Sequence, residues 1–393
     1  MQLMAPQHPI YLDCQATTPL DPEVLDAMLP YFREQFGNPH VDAHVFGREA
    51  AAAVEIARSE VAQLINADPR EIIFTSGATE SNNLAIKGAA RYRRDRHGLD
   101  HVVTVATEHK CVLESIARLE HEGFRATVLP VEPSGLVDLE RVEAALEEST
   151  ALVTVMAANN EIGTVQPLSE VGKLCRERNV VLHTDAAQAV GKIPFDVHAL
   201  NVDLASLSAH KLYGPKGIGA LYVRRRPRAR IEPLFDGGGQ ERTLRSGTVP
   251  VPLVVGFGAA TGIARRRLRK EAEHTKMLRD RMLTRLRVRH SDIVVHGAMK
   301  PRLPGNLSVG YAGLLAHRLV RELADVALST GSACSDTSVE NSYVLRALGV
   351  SESIASGSFR ISPGRFTTES DIDRAAAAIA DGVDALRASS TQD

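Results

Sequence analysis

Between about residues 70 and 225, short apolar runs alternate with longer amphipathic stretches, and this alternation constrains the fold more than any other feature of the chain. The runs are "EIIFTS", "HVVTVATEH", "ATVLPV", "ALVTVMAANN", "NVVLHTDAAQ", "DLASLSAHK" and "IGALYVRR". Several are apolar without a break, as strands covered on both faces have to be. Helical patterns such as "ESNNLAIKGAARYRRD" and "LSEVGKLCRERN" lie between them. Strands interleaved with helices pack as a parallel sheet between helical layers. The expected class is α/β, with a large domain built on a mostly parallel seven-stranded sheet.

After residue 260 the texture changes. A long basic stretch, "IARRRLRKEAEHTKMLRDRMLTRLRV", leads into shorter elements around "LPGNLSVGY", "GSFRIS" and "DIDRAAAAIADGVDALR". The 393 residues suffice for two domains. We read a large domain over residues 15–260 and a smaller α+β domain assembled from 1–14 and 261–393. "VRRRPRAR" and "ARRRLRK" are basic, yet the net charge is -2, aromatic residues do not interleave with them, and tryptophan is absent. They read as a solvated helix face, not as a nucleic-acid surface. No apolar run of about 18 residues occurs, so no membrane span is expected. The start "MQLMAPQHPIYLD" lacks a charged head followed by an apolar stretch, so no secretion signal is expected. Cys14, Cys111, Cys175 and Cys334 lie far apart without a Cys-x-x-Cys pair. That argues against a disulfide framework or zinc knuckle and fits a reducing, cytoplasmic compartment.

Open parallel sheets bind ligands beyond the carboxyl ends of their strands, which makes the residues after each run candidates. "EIIF" is followed by Thr75-Ser76-Gly77-Ala78-Thr79-Glu80, entering a helix whose first N–H groups, with the Thr79 hydroxyl, would cradle a phosphate. Later runs end in Glu108-His109-Lys110, in Asn159-Asn160-Glu161, in Asp185 with Gln188, and in Ser208, His210 and Lys211. Singly, each is an ordinary cap, turn or core polar residue. Gathered at one sheet edge they supply a phosphate cradle, a carboxylate, an imidazole and a primary amine. This set suits pyridoxal phosphate. Lys211 would hold the cofactor aldehyde as a Schiff base. Asp185 would keep the ring nitrogen protonated, and His109 would stack on the ring and handle protons near neutral pH. Ser208 and His210 would add donors to the phosphate.

With these residues in place, the sequence resembles the cysteine desulfurases of the iron–sulfur-cluster-assembly type. That family has the fold-type I architecture of pyridoxal-phosphate enzymes and belongs to the class-V aminotransferase superfamily. The resemblance runs from "YLDCQATTPLDP" to "GRFTTESDID". It rests on "FTSGATESNNLAIKGA", "TEHKCVLES", "NNEIGTVQP", "HTDAAQAVGKIP", "HKLYGPKGIGALYVRR", "GGGQERTLRSGT" and "GSACSDTS". It implies a homodimer that converts L-cysteine to L-alanine and passes sulfur, as a persulfide, to an acceptor protein such as an iron–sulfur scaffold.

By this resemblance Lys211 carries the cofactor and His109 is the stacking acid/base. Ala78, Thr79, Ser208 and His210 match the phosphate binders, Asp185 and Gln188 the groups at the ring nitrogen and ring hydroxyl, and Asn160 a further ring contact. Thr248 in "RSGT" matches a residue that reaches the phosphate of the other subunit. Asn38 in "FGNP" and Arg360 in "GSFRIS" match the grip on the substrate carboxylate, a task that suits the arginine fork. Cys334 in "STGSACSDTSVENSYVL" matches the sulfur-accepting nucleophile. No resident metal is implied; Cys334 would ligate an iron–sulfur cluster only in passing, together with a scaffold. A lone cysteine among Gly, Ser and Ala belongs on a loop, and the length before "RALG" resembles the subgroup with a long active loop. The other three cysteines fall in periodic segments and read as packing residues.

The chain departs from the family pattern in places. Ala209 stands where Gly is usual before the His-Lys pair, "GNPHVDAH" replaces a serine-rich version, "GYAGLLAHRLVREL" lacks a Glu-Gly-Glu, and no histidine precedes Arg360. "DALRASSTQD" lacks the tryptophan-containing tail that docks the scaffold, so a weaker or relocated scaffold contact is expected. A selenocysteine lyase or other aminotransferase-like enzyme is disfavoured by Cys334 in its long loop. A non-catalytic, partner-binding relative is disfavoured by the presence of Lys211 and Asp185.

Overall fold

All seven apolar runs become strands of one sheet in the computed structural model, which describes residues 9–330 and 342–390. A short β1 (Ile10–Tyr11) stands apart from that sheet and is followed by α1 (Pro22–Arg33) and α2 (Val45–Leu64). Strands and helices then alternate: β2 (Ile72–Thr75), α3 (Ala78–His97), β3 (His101–Val105), α4 (Lys110–His121), β4 (Arg125–Leu129), α5 (Leu139–Ala145) and β5 (Thr150–Thr154). Next come α6 (Leu168–Glu177), β6 (Val181–Asp185), β7 (Leu204–Ser208) and β8 (Gly219–Val223). The long α7 (Val251–Arg289) leads to β9 (Val294–Val295), β10 (Leu307–Gly310), α8 (Ala316–Glu322), β11 (Val326–Ala327) and β12 (Ser329–Thr330). After the undescribed residues follow α9 (Tyr343–Ala347), α10 (Glu352–Ala355), β13 (Ser358–Ile361) and α11 (Glu369–Ser390).

The large sheet has the order β2-β8-β7-β6-β5-β3-β4. It is parallel except for β8, which runs against both neighbours. Only ten residues, 209–218, join β7 to β8, too few for the crossover a parallel pair needs. On one face Phe74, Val153 and Leu207 pack with Val24 and Met28 of α1, Val54 of α2 and Phe257 of α7. On the other face Ile73, Val102 and Leu204 pack with Leu84 and Ile86 of α3 and Ile116 and Leu119 of α4. Burial on both faces is why the strands read as unbroken apolar runs. At the sheet edge the Glu241 carboxylate accepts from the Phe74 N–H at 2.8 Å and forks with the buried Arg58 at 2.7 and 2.8 Å. Arg58 also donates to the Ile72 carbonyl at 2.8 Å, so one ion pair covers the free edge of β2.

The helical pattern read from Ile263 onward begins at Val251 in the structure. Gly256, Gly258 and Gly262 obscure it in the sequence, and packing explains them: a Cβ on Gly258 would stand 2.6 Å from the Ala57 Cα of α2. Helix α7 therefore crosses the expected boundary at 260–261 without interruption. Its far half, through Leu278, Met282 and Leu286, joins Val309, Phe359 and Ile379 in a separate core around the antiparallel sheet β12-β13-β10-β9. Leu12 belongs to this second core, and β1 pairs with β11 in parallel, so the first described residues complete the C-terminal region. Three arginines at the start of the basic stretch are paired: Arg265 with Glu60 at 3.2 Å, Arg267 with Glu23 at 2.7 Å and Arg269 with Glu273 at 2.9 Å.

Candidate active site

Strands β2, β3, β5, β6 and β7 end at one edge of the sheet and deliver the residues that follow them to a single cleft of about 610 Å³. Ala78, Thr79, His109, Asn160, Asp185, Gln188, Ser208, His210, Lys211 and Arg360 all line it. Parallel strands end together, which is why residues so distant in the chain meet there. Asn38 and Thr248 are exposed and do not line it; the Asn38 side chain instead accepts from the His40 N–H at 3.0 Å. Cys334 lies outside the described residues.

Helix α3 begins at Ala78 with no side-chain cap, so its first-turn N–H groups lack a side-chain acceptor and an anion would satisfy them. Glu80, the acid of that turn, accepts from the Ser76 N–H at 2.7 Å and pairs with Arg245 at 2.9 Å, which offsets its charge. The turn is seated on β8: a Cβ on Gly219 would stand 2.7 Å from the Gly77 Cα.

The Lys211 amine donates to the carbonyls of Gln15 and Ala16, both at 2.7 Å. Asp185, at the end of β6, accepts from the Asn82 amide at 2.7 Å and the Ala187 N–H at 3.0 Å. His109 caps α4: its Nδ1 accepts from the Cys111 N–H at 3.2 Å, and the Cys111 sulfur lies 3.0 Å from the same nitrogen. A nitrogen that accepts from a backbone N–H carries no proton, so the neutral ring bears its hydrogen on Nε2. Burial, aided by Lys211 and Lys110 and opposed by Asp185, lowers the pKa of His109. Burial and the nearby lysines take His210 down to about 4; its Nδ1 lies 3.0 Å from the Thr17 hydroxyl. Arg360, on β13, donates to Asp13 and to the Asn160 carbonyl, both at 2.6 Å. Its Nε and the Asn160 Oδ1 are buried without a partner among the described residues.

The structure adds residues that the sequence did not single out. Asn82 is fully buried and bridges Asp185 and the Cys111 sulfur, the latter at 3.1 Å. Three residues after Thr79 on α3, it shares the helix side that faces the cleft, a spacing that could have flagged it. Cys111 needs a correction: it packs against the α3–α4 core as expected, but its thiol also touches His109 and lines the cleft. Cys14 and Cys175 are buried. Burial pushes the Glu108 carboxyl well above the usual range, with Asp185 adding to the shift. Glu161 also lines the cleft, accepts from the Ser342 hydroxyl at 2.5 Å, and is raised by burial to about 7.

The donor set fits pyridoxal phosphate: an uncapped helix start for the phosphate, an amine for the aldehyde, a carboxylate for the ring nitrogen and the unpartnered Asn160 oxygen beside them. Comparison with known proteins agrees. Residues 10–375 match the family described as Aminotransferase class-V. The chain belongs to that family. It is 54% identical over 386 residues to the cysteine desulfurase IscS of Rickettsia felis, spanning 98% of this chain and 94% of that one. Among solved structures, a NifS-like protein superposes with a TM-score of 0.89 at 38% identity, covering 96% of this chain and 100% of the other. A NifS-like protein from Rickettsia africae does so with a TM-score of 0.85 at 30% identity, covering 96% and 100%. Within class V the chain is therefore a cysteine desulfurase, a group whose members depend on pyridoxal phosphate. Among the described residues no helix is long and apolar enough to cross a membrane.

Proposed function

We propose that this cysteine desulfurase binds pyridoxal phosphate at Lys211, converts L-cysteine to L-alanine and collects the sulfur as a persulfide on Cys334. The observation that carries the reading is the meeting of Lys211, Asp185, His109 and the uncapped start of α3 in one cleft. When bound, the cofactor supplies an electron sink for the substrate carbon. The side chains do the rest. The N–H groups of Ala78 and Thr79, with Ser208 and His210, hold the phosphate. Asp185, fixed by Asn82, holds a proton on the ring nitrogen. Gln188 and Asn160 meet the ring substituents. Arg360, steadied by Asp13, receives the substrate carboxylate. Lys211 removes the α-proton, and His109 presents its Nε2 hydrogen to the substrate. The Cys334 thiolate then attacks the substrate sulfur. An S–S bond forms, the C–S bond breaks, and the carbon keeps the electron pair and takes a proton to become alanine.

The working unit in this reading is a homodimer. Leu25, Leu29 and Phe32 lie on one face of α1 and are exposed, as are Phe36 and Phe46, whose rings stack at 5.6 Å. An apolar patch of that kind calls for a covering partner, and a second copy would also bring Thr248 to the cleft. We divide the chain into the same two domains, 15–260 and 1–14 with 261–393, and assign the acceptor to an iron–sulfur scaffold. The test is Cys334→Ser. It should bind pyridoxal phosphate and L-cysteine as before, yet make no alanine and carry no persulfide by mass spectrometry. Alanine formed at the wild-type rate without added thiol would overturn the assignment.

A further inference from the structure

A half-buried lysine that the proposed chemistry leaves unused sits behind the cleft. Lys192 follows Gln188 by four residues on the turn after β6, where the Val190 and Ile193 N–H groups bond back to the carbonyls of Ala186 and Ala189 at 3.0 Å. One helical turn thus sets the two side chains on the same side. The Lys192 ammonium donates to Gln188 Oε1 at 2.7 Å, and Gln188 Nε2 donates to the Gln15 carbonyl at 2.9 Å. An ammonium cannot accept and a carbonyl cannot donate, so both neighbours force the same orientation of the amide. One Nε2 hydrogen is used on Gln15; the other remains for the cleft that Gln188 lines. The same Gln15 carbonyl receives the Lys211 amine at 2.7 Å, which links the two lysines through one acceptor.

Among the described residues no carboxylate pairs with Lys192. A second cavity, behind Lys211, is lined by Lys192, Cys14, Tyr213, Glu271 and Arg365, and there Glu271 is already paired with Arg365 at 2.8 Å. Burial lowers the Lys192 pKa to about 7; Lys211 and Arg360 push the same way and Cys14 opposes them. A cation drawn partly out of water without a carboxylate is disfavoured unless an anion arrives, and the cleft is where one would bind.

We propose that Lys192 is a positioning residue that locks and polarises Gln188, so that the amide offers its second N–H as a strong donor to the anionic ring oxygen of the cofactor. The inference rests on pyridoxal phosphate occupying the cleft. A cation behind a donor group strengthens that donor, and the effect grows in a dry site. The visible band of the cofactor bound to Lys211 reports it, because loss or weakening of a donor to the ring oxygen moves the titration of that band to higher pH.

The experiment compares holoenzyme of the wild type, Lys192→Met, Lys192→Gln, Gln188→Ala and the double variant Lys192→Met with Gln188→Ala. It reads the pH midpoint of the band and the dissociation constant of pyridoxal phosphate. Lys192→Met should raise the midpoint by about one unit, a tenfold change in proton affinity, and weaken cofactor binding about tenfold. Lys192→Gln keeps a donor without the charge and should fall between Met and wild type. It also covers the case in which Met fails to fold. Because Lys192 acts through Gln188, the double variant should titrate like Gln188→Ala alone. Wild-type midpoints in both Lys192 variants, or additive shifts in the double variant, would overturn the proposal. A wild type that takes up no pyridoxal phosphate would sink the functional reading itself, and this inference with it.

Discussion

Gly219→Ala tests how closely the proposed phosphate cradle is tied to the sheet. The new methyl group would stand 2.5 Å from the Leu207 carbonyl oxygen and 2.7 and 2.8 Å from the Cα and carbonyl carbon of Gly77. Ordinary carbon contacts need about 3.5 Å, so something must move by roughly 0.7–1 Å. Leu207 is fixed in β7, paired with Ala220 of β8 in the middle of the sheet. Gly77 is only the entry to α3, with no side-chain cap to hold it, so the displacement should fall on the turn. Overpacking of this kind costs about 1–3 kcal/mol of stability. For the cofactor, misplacing the first turn should forfeit about one charge-assisted hydrogen bond to the phosphate, about 1.5–3 kcal/mol. The dissociation constant of pyridoxal phosphate should then rise roughly tenfold to a hundredfold. Titrating the apoprotein with cofactor and following absorbance gives the constant, and a urea series gives the stability. Unchanged affinity in a destabilised protein would refute the argument, since the strain would then have gone into β7.

Asp185→Asn should lower turnover by roughly a hundredfold or more while the cofactor affinity falls far less, because the phosphate donors remain; equal losses in kcat and affinity would place Asp185 elsewhere. Glu241→Ala leaves the buried Arg58 without its fork and the Phe74 N–H without an acceptor, and should cost about 3–5 kcal/mol in urea unfolding. A midpoint within error of wild type would contradict the role given to that pair. Glu161, raised to about 7, holds its proton in the folded chain at pH values where the unfolded chain has released it. Stability should therefore be fully present at acid pH and decline as pH rises from the usual carboxylate range through 7, by up to about 3 kcal/mol. Glu161→Gln should remove that slope, as thermal unfolding at pH 5 and pH 8 would reveal.

The sheet was legible because its strands are buried on both faces, which writes seven apolar runs into the sequence. The reversed direction of β8 was not, since an apolar run has no polarity; only the shortness of residues 209–218 betrays it. Helix α7 was read twelve residues late because glycines that seat it against α1 and α2 look like helix breakers. In the cleft, residues that follow a strand announced themselves: Asp185, Lys211 and the Thr79 turn are examples. Asn82 and Cys111 did not. They are polar or thiol groups within helices, and the partner of Asn82, Asp185, lies 103 residues beyond it. Nothing in the sequence marks Lys192; only the fold sets its amine on Gln188.

The pairing of β1 with β11 also orders events during synthesis. Ile10 and Tyr11 leave the ribosome early, but their partners Val326 and Ala327 are made more than 300 residues later. Until then the first strand has nothing to pair with. The large sheet is under no such delay: its last strand ends at Val223, and the elements bearing Thr79, His109, Asp185 and Lys211 are all translated by that point. Domains fold as units as they emerge. A nascent chain would thus own the proposed phosphate cradle and Lys211 well before β13 brings Arg360 to Asp13. In the proposed reading the cofactor side of the pocket is built first, and the substrate grip assigned to Arg360 is installed last.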